Sequence, residues 1–129
     1  MPAKLLPDTC VWIDFLRNRE TALTLQLEQA LLHGEVYTCG VVLYELLQGI
    51  RNPGEDEQVR AAFDALTMLE ITAKTWIAAA RLSSGLRKQG ITLPLSDILI
   101  ATVAVENNLT IMTVDAHFQQ IPGLSLVMV

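Results

Sequence analysis

The chain has 129 residues, of which 51% are hydrophobic and 18% charged, and its formal net charge is −5. That is the usual size of one domain with a real core, and the composition excludes a disordered chain. The sequence has no apolar run of the ~18–20 residues that span a bilayer, and the stretch before Asp8 is too short in apolar residues for a secretion signal, so a cytoplasmic protein with no membrane partner is expected.

Residues 4–7 read as a first strand ending at Asp8, and residues 11–17 as a short helical segment. A helix is predicted over 21–33, with Leu23, Leu27, Ala30 and Leu31 on one face and Gly34 as its stop. Residues 36–38 are rich in β-formers and read as a second strand, followed by an apolar helix over 41–49. Asn52-Pro53-Gly54 is a turn signal. A helix with an acidic first turn follows over 55–66, then a third strand over 68–71. Residues 74–89 form a long predicted helix closed by Gly90. Ser96 is placed to cap another helix that runs to about Asn107. Strands over 110–113 and 124–127 complete the chain. Strands alternating with helices imply βαβ units and a mostly parallel sheet covered on both faces. In such sheets ligands bind beyond the carboxyl ends of the strands.

Acidic residues gather at those ends. Asp8 directly follows the first strand and Asp115 follows the fourth by two residues. Asp97 lies in the first turn of the helix leading into the fourth strand, and Glu45 sits in a helix otherwise apolar almost all round. Each residue alone has an ordinary explanation as a cap, a turn former or a solvated side chain. Together they do not. Carboxylates ~5 Å apart repel by about 3 kcal/mol per pair at an effective dielectric of about 20, so the groups must either take up protons or share a divalent cation. Oxygen ligands favour Mg2+ or Mn2+ over zinc, and such an ion can clamp a phosphodiester and activate water. The charge distribution agrees: all nine Lys and Arg lie at or before Lys88, and Asp97, Glu106 and Asp115 follow it.

Other chemistries fail on specific residues. A phosphoacceptor receiver domain needs a Lys near its last strands, and none follows Lys88. An Asp-x-Asp phosphotransferase pair fails at Cys10. There is no Walker-type glycine loop. His33 and His117 have no Ser or Cys partner at a recognisable spacing; His33 reads as a dipole partner in the last turn of its helix. Cys10 and Cys39 lack metal or disulfide spacing and read as free thiols.

Four blocks, in order, resemble the PIN-domain nucleases. They are Asp8-Thr9 with Val11-Trp12-Ile13-Asp14, then Glu45-Leu46-Leu47-Gln48-Gly49-Ile50-Arg51, then Leu95-Ser96-Asp97-Ile98-Leu99-Ile100-Ala101, then Thr113-Val114-Asp115-Ala116-His117-Phe118. The trailing Ile121-Pro122-Gly123-Leu124 fits as well, so the resemblance covers essentially the whole chain. Order and spacing are similar to the toxin half of VapBC-type toxin–antitoxin pairs. The resemblance implies one PIN domain over 1–129, an α/β three-layer sandwich whose central five-stranded parallel sheet has the order 3-2-1-4-5. It implies cleavage of RNA that depends on Mg2+, with Mn2+ as the alternative, and inhibition by a cognate VapB-type antitoxin. On this carry-over Asp8 and Asp97 are metal ligands, and Glu45 and Asp115 complete the catalytic pocket through water or a second ion. Thr9 and Thr113 support them by orienting water or carboxylates. Cys10 departs from the family, which often has Asn or Ser there.

Arg17, Arg19 and Arg51 are candidates to hold RNA phosphates, whereas Trp12 and Tyr44 are expected to pack in the core rather than stack on bases. Apolar residues around Leu43, Leu46, Leu47 and the 55–66 segment exceed what one small sheet needs to cover. They are expected to form a groove for an amphipathic antitoxin helix that also places a basic side chain among the acids. The high apolar fraction suggests a shared surface and hence a homodimer. The alternative function is a catalytically inactive PIN-like module that binds RNA or a protein partner.

Overall fold

The computed structural model describes residues 3–128. In chain order the elements are β1 (Leu5–Pro7), α1 (Thr9–Leu16), α2 (Ala22–Leu32), β2 (Tyr37–Cys39), α3 (Gly40–Gln48), α4 (Pro53–Asp64), β3 (Thr67–Leu69), α5 (Ala73–Lys88), α6 (Leu95–Glu106), β4 (Thr110–Met112), a 3-10 helix (Ala116–Gln120) and β5 (Ser125–Val127).

β1, β4 and β5 form a parallel ladder in the order β1-β4-β5, with Leu6 opposite Ile111 and Ile111 opposite Leu126. β2 and β3 pair in parallel, with Thr38 opposite Met68. A single parallel bridge between Leu5 and Val36 joins the two ladders, which gives the order 3-2-1-4-5 across them. The PIN-domain resemblance implies a five-stranded sheet, and the structure narrows the seam between β1 and β2 to that one bridge. Pro7 is the physical reason. The Leu5 N–H donates toward β2, to the Glu35 carbonyl at 2.8 Å, while the Asp8 N–H donates toward β4, to the Met112 carbonyl at 2.8 Å. The next donor aimed at β2 belongs to residue 7, and proline has none.

Helix starts are set by local chemistry. Asp8 caps α1, so that helix begins at Thr9, two residues before the predicted start. Thr21 with Thr24, and Thr72 with Thr75, form reciprocal capping boxes at the starts of α2 and α5. Asn52-Pro53 opens α4 rather than making a free turn: Asn52 Oδ1 accepts the Glu55 N–H at 3.0 Å and Pro53 occupies the first turn. At α6 the sequence expectation of a Ser96 cap is wrong. The N-cap is Pro94, the helix begins at Leu95, and no side-chain cap bond forms. Proline's fixed φ suits a helix entry, and Ser96 lies within the first turn.

α6 is the centre of the core. Asp97 through Ala104 are all buried, so this helix is apolar all round because it has neighbours all round. Trp12 is fully buried, with its ring 5.9 Å from Phe15, edge-on, and 5.0 Å from Phe63. It therefore cannot stack on a base. Tyr44 departs from the expectation of core packing, since it is 64% exposed. The apolar excess expected on α3 and α4 is largely consumed by the protein's own core: Leu46, Val59 and Phe63 are buried, and Leu43 and Leu47 pack against them. No helix among the described residues is long and apolar enough to cross a membrane.

Trp12→Ala is predicted to lower stability by about 3–5 kcal/mol, because it opens a cavity beside Phe15 and Phe63. A urea melt of the purified variant measures this, and an unchanged midpoint would contradict the assignment of Trp12 to the core.

Candidate metal centre

Parallel pairing of β1 with β4 sends both chains out at the same end of the sheet. Asp8 leaves β1 there as the cap of α1, and Thr113 and Asp115 leave β4. α6 begins at this end, which places Asp97 in its first turn, and α3 leaves β2 to carry Glu45 into the same region. Asp8 and Asp97 are 7% and 9% exposed; Glu45 and Asp115 are half-buried.

A chain of hydrogen bonds links all four acids. Thr9 Oγ1 donates to Glu45 Oε1 at 2.7 Å, and the Thr9 N–H donates to Asp8 Oδ1 at 2.8 Å. Thr113 Oγ1 donates to Asp8 Oδ2 at 2.9 Å and accepts the Asp115 N–H at 2.9 Å. The His117 N–H donates to Asp115 Oδ1 at 2.9 Å, and its ring Nδ1 lies 2.9 Å from Asp97 Oδ2. The tightest ligand set is Asp97, Asp115 and His117, with one donor atom from each within 4.8 Å of the others. Asp8 and Glu45 flank that set. Cys10 is also part of this wall, its thiol 3.5 Å from Asp8 Oδ2, while Cys39 is buried in the core.

The electrostatics of these acids suit a cation. Burial raises the carboxyl of Asp8, against the lowering effect of Thr113, and the charge of Asp97 adds to the rise. Burial likewise raises Asp97, with Asp115 and Glu45 adding repulsion and His117 opposing it. Burial pushes up the Cys10 thiol, which keeps it a neutral donor. Among the described residues, no Lys or Arg forms an ion pair with any of the four acids. A donor set dominated by carboxylate oxygens, partly buried and mutually repelling, fits a hard divalent cation such as Mg2+ or Mn2+.

Of the candidate phosphate-holding arginines, Arg19 pairs with Asp14 at 3.1 Å and Arg51 with Glu55 at 2.9 Å. Arg17 lines a small cleft with Ile13, Leu16, Leu46 and Ile50, and Glu45 forms part of the same wall. His117 is the site residue that sequence reasoning passed over, since it sought only a nucleophile partner for the imidazole. The available signal was the Asp115-x-His117 spacing just past a strand end.

The shifts have a definite sign in stability. An acid whose folded value lies above its unfolded value binds more protons folded than unfolded, so stability falls as pH rises past 3.8 toward the folded value. His117 is raised above 6.5, chiefly by its bond to Asp97, and its contribution is lost as pH rises through that higher value. Glu55, lowered by Arg51, acts in the opposite sense, but its contribution is complete once pH clears 4.5. Metal-free protein is therefore predicted to be less stable above pH 6.5 than at pH 4.5, and saturating Mg2+ is predicted to narrow that difference. Thermal melts across pH, with and without the ion, measure both effects; a metal-free stability that climbs over this window would contradict them.

Residues 5–124 match the family described as PIN domain. No curated protein matches the chain. Among solved structures, the chain is similar to VapBC2 from Rickettsia felis bound to a DNA fragment from its promoter, with 20% identity, a TM-score of 0.83 and coverage of 97% of this chain and 98% of that one. It is similar to DNA-bound VapBC from Salmonella typhimurium, with 19% identity, a TM-score of 0.82 and coverage of 98% of each chain. VapBC-5 from Mycobacterium tuberculosis, a member of the VapBC family of toxin–antitoxin systems, shares 24% identity at a TM-score of 0.70, over 99% of this chain and 100% of that one. The fold that carries the acids to one sheet end and the match over most of the sequence agree: the chain belongs to the PIN domain family.

Proposed function

We propose that this PIN domain is a metal-dependent endoribonuclease and the toxin component of a VapBC-type pair. The observation that carries the reading is the set of four linked carboxylates, two of them buried, with no Lys or Arg paired to them among the described residues. Asp8 and Asp97, with Asp115 beside them, would hold the ion. When bound, a divalent cation neutralises phosphate charge and lowers the pKa of water. The protein's own groups do the rest. Thr113 fixes Asp8, and Thr9 fixes Glu45 through Oε1, which places Glu45 to accept a proton from the attacking water as the phosphodiester bond breaks. Arg17, in the cleft beside Glu45, is the cation best placed to meet the RNA backbone.

The solved relatives that are VapBC complexes support a VapB-type antitoxin as the partner. The cleft between α1, α3 and α4 suits its amphipathic segment, because an apolar side chain seated against the half-buried Ile13 and Leu16 brings its neighbours to Glu45. The exposed Trp76, Ile77 and Leu95 on α5 and α6 support self-association into a homodimer.

Purified protein is predicted to cleave RNA with added Mg2+ or Mn2+ and not with EDTA. Asp8→Asn and Asp97→Asn are predicted to lower the rate by roughly a hundredfold or more while the thermal melt stays intact. Equal cleavage with and without metal would sink the mechanism, and binding without any cleavage would favour the inactive RNA-binding module. Expression alone is predicted to arrest growth, and co-expression of the partner to relieve it. Normal growth with abundant active protein would argue for a nuclease outside a toxin–antitoxin pair.

A further inference from the structure

We propose that His117 is a nitrogen ligand of the metal centre and biases that centre toward Mn2+ over Mg2+. The inference rests on the reading of the acid cluster as a metal site.

One donor atom each from Asp97, Asp115 and His117 lies within 4.8 Å of the others, close enough for all three to serve one ion. Asp97 Oδ2 lies 2.9 Å from His117 Nδ1, and Asp115 Oδ1 lies 3.4 Å from the same nitrogen. The backbone imposes this arrangement. Asp115 caps the 3-10 helix that carries His117, and the His117 N–H holds the Asp115 carboxylate at 2.9 Å. One short turn thus presents an oxygen and an imidazole on the side where Asp97 enters from α6. The imidazole is about half exposed, so burial in the core does not explain its position. Among the described residues its ring nitrogen meets only carboxylates, Asp97 and Asp115, and the Cys10 thiol bonds to Asp8 instead.

Donor chemistry gives the consequence. Carboxylate and water ligands suit Mg2+ and Mn2+ alike, whereas imidazole is a donor for first-row transition ions and a poor one for Mg2+; of the two ions that a carboxylate site accepts, only Mn2+ is a transition ion. Coordination uses neutral Nδ1, with the proton carried on Nε2. In the metal-free protein the same nitrogen is the hydrogen-bond partner of Asp97. The competing role is a positioning one, in which His117 holds Asp97 by that bond and never touches the ion.

Electron paramagnetic resonance on the full chain loaded with Mn2+ separates these roles. Electron spin echo modulation from nitrogen-14 is expected in wild type, is expected to change with nitrogen-15 histidine labelling, and is expected to vanish in His117→Gln. His33 sits at the end of α2, bonded to the Gln29 carbonyl, and does not contribute. In parallel titrations, His117→Gln is expected to weaken Mn2+ binding about tenfold and Mg2+ binding by less. The labelled wild-type experiment needs no variant, so a folding defect cannot mask the result. Bound Mn2+ that shows no nitrogen modulation, but is lost in Asp97→Asn, overturns the ligand role and leaves the acid cluster standing as a metal site. An equal loss of both ions in His117→Gln overturns the Mn2+ bias. Wild-type protein that binds no Mn2+ overturns both the inference and the reading beneath it.

Discussion

The gathering of buried and half-buried carboxylates at one end of the sheet is the constraint around which this structure is organised. Parallel strands deliver their ends, and so Asp8 and Asp115, to one edge, while α6 and α3 bring Asp97 and Glu45 there from above. Burial of Asp8 and Asp97 disfavours their charged forms, and repulsion from the neighbouring carboxylates adds to that. The fold offsets part of the cost with fixed donors: the Thr9 N–H and Thr113 hydroxyl at Asp8, the Thr9 hydroxyl at Glu45, the His117 N–H at Asp115. These donors orient the acids without neutralising them. The remaining negative potential suits a cation.

The same demand accounts for the division of labour in the rest of the chain. α6 must reach the site with its N-terminus while crossing the interior, so it is buried from Asp97 to Ala104. Trp12 and Phe63 pack α1, the helix that Asp8 caps, against α4. The core thus stabilises an end of the sheet that electrostatics alone would loosen.

Much of this was legible in the sequence. Element order, the parallel βα alternation and the four acidic blocks follow from hydrophobic periodicity and from residues placed at strand ends. What escaped was decided by groups whose effect is not local. Pro7 reads as an ordinary strand end, yet its missing N–H faces β2 and reduces that seam to the bridge at Leu5 and Val36. Ser96 has the chemistry of a cap, but Pro94 sets the turn two residues earlier. The 3-10 helix over Ala116–Gln120 is too short for periodicity to reveal, and its absence from the sequence reading is why His117 was left without a partner. On α3 and α4 apolar content signalled a groove, whereas the three-dimensional core takes up Leu46, Val59 and Phe63; composition does not distinguish a side chain facing a partner from one facing its own domain.

The central claim is that these carboxylates exist to hold a divalent ion. Anomalous diffraction at the manganese edge, from crystals of the protein grown or soaked with Mn2+, tests it most directly. The account predicts a strong peak among Asp8, Asp97 and Asp115 that disappears in Asp97→Asn. Well-ordered acids with no peak between them, or a peak seated only elsewhere on the surface, would contradict it.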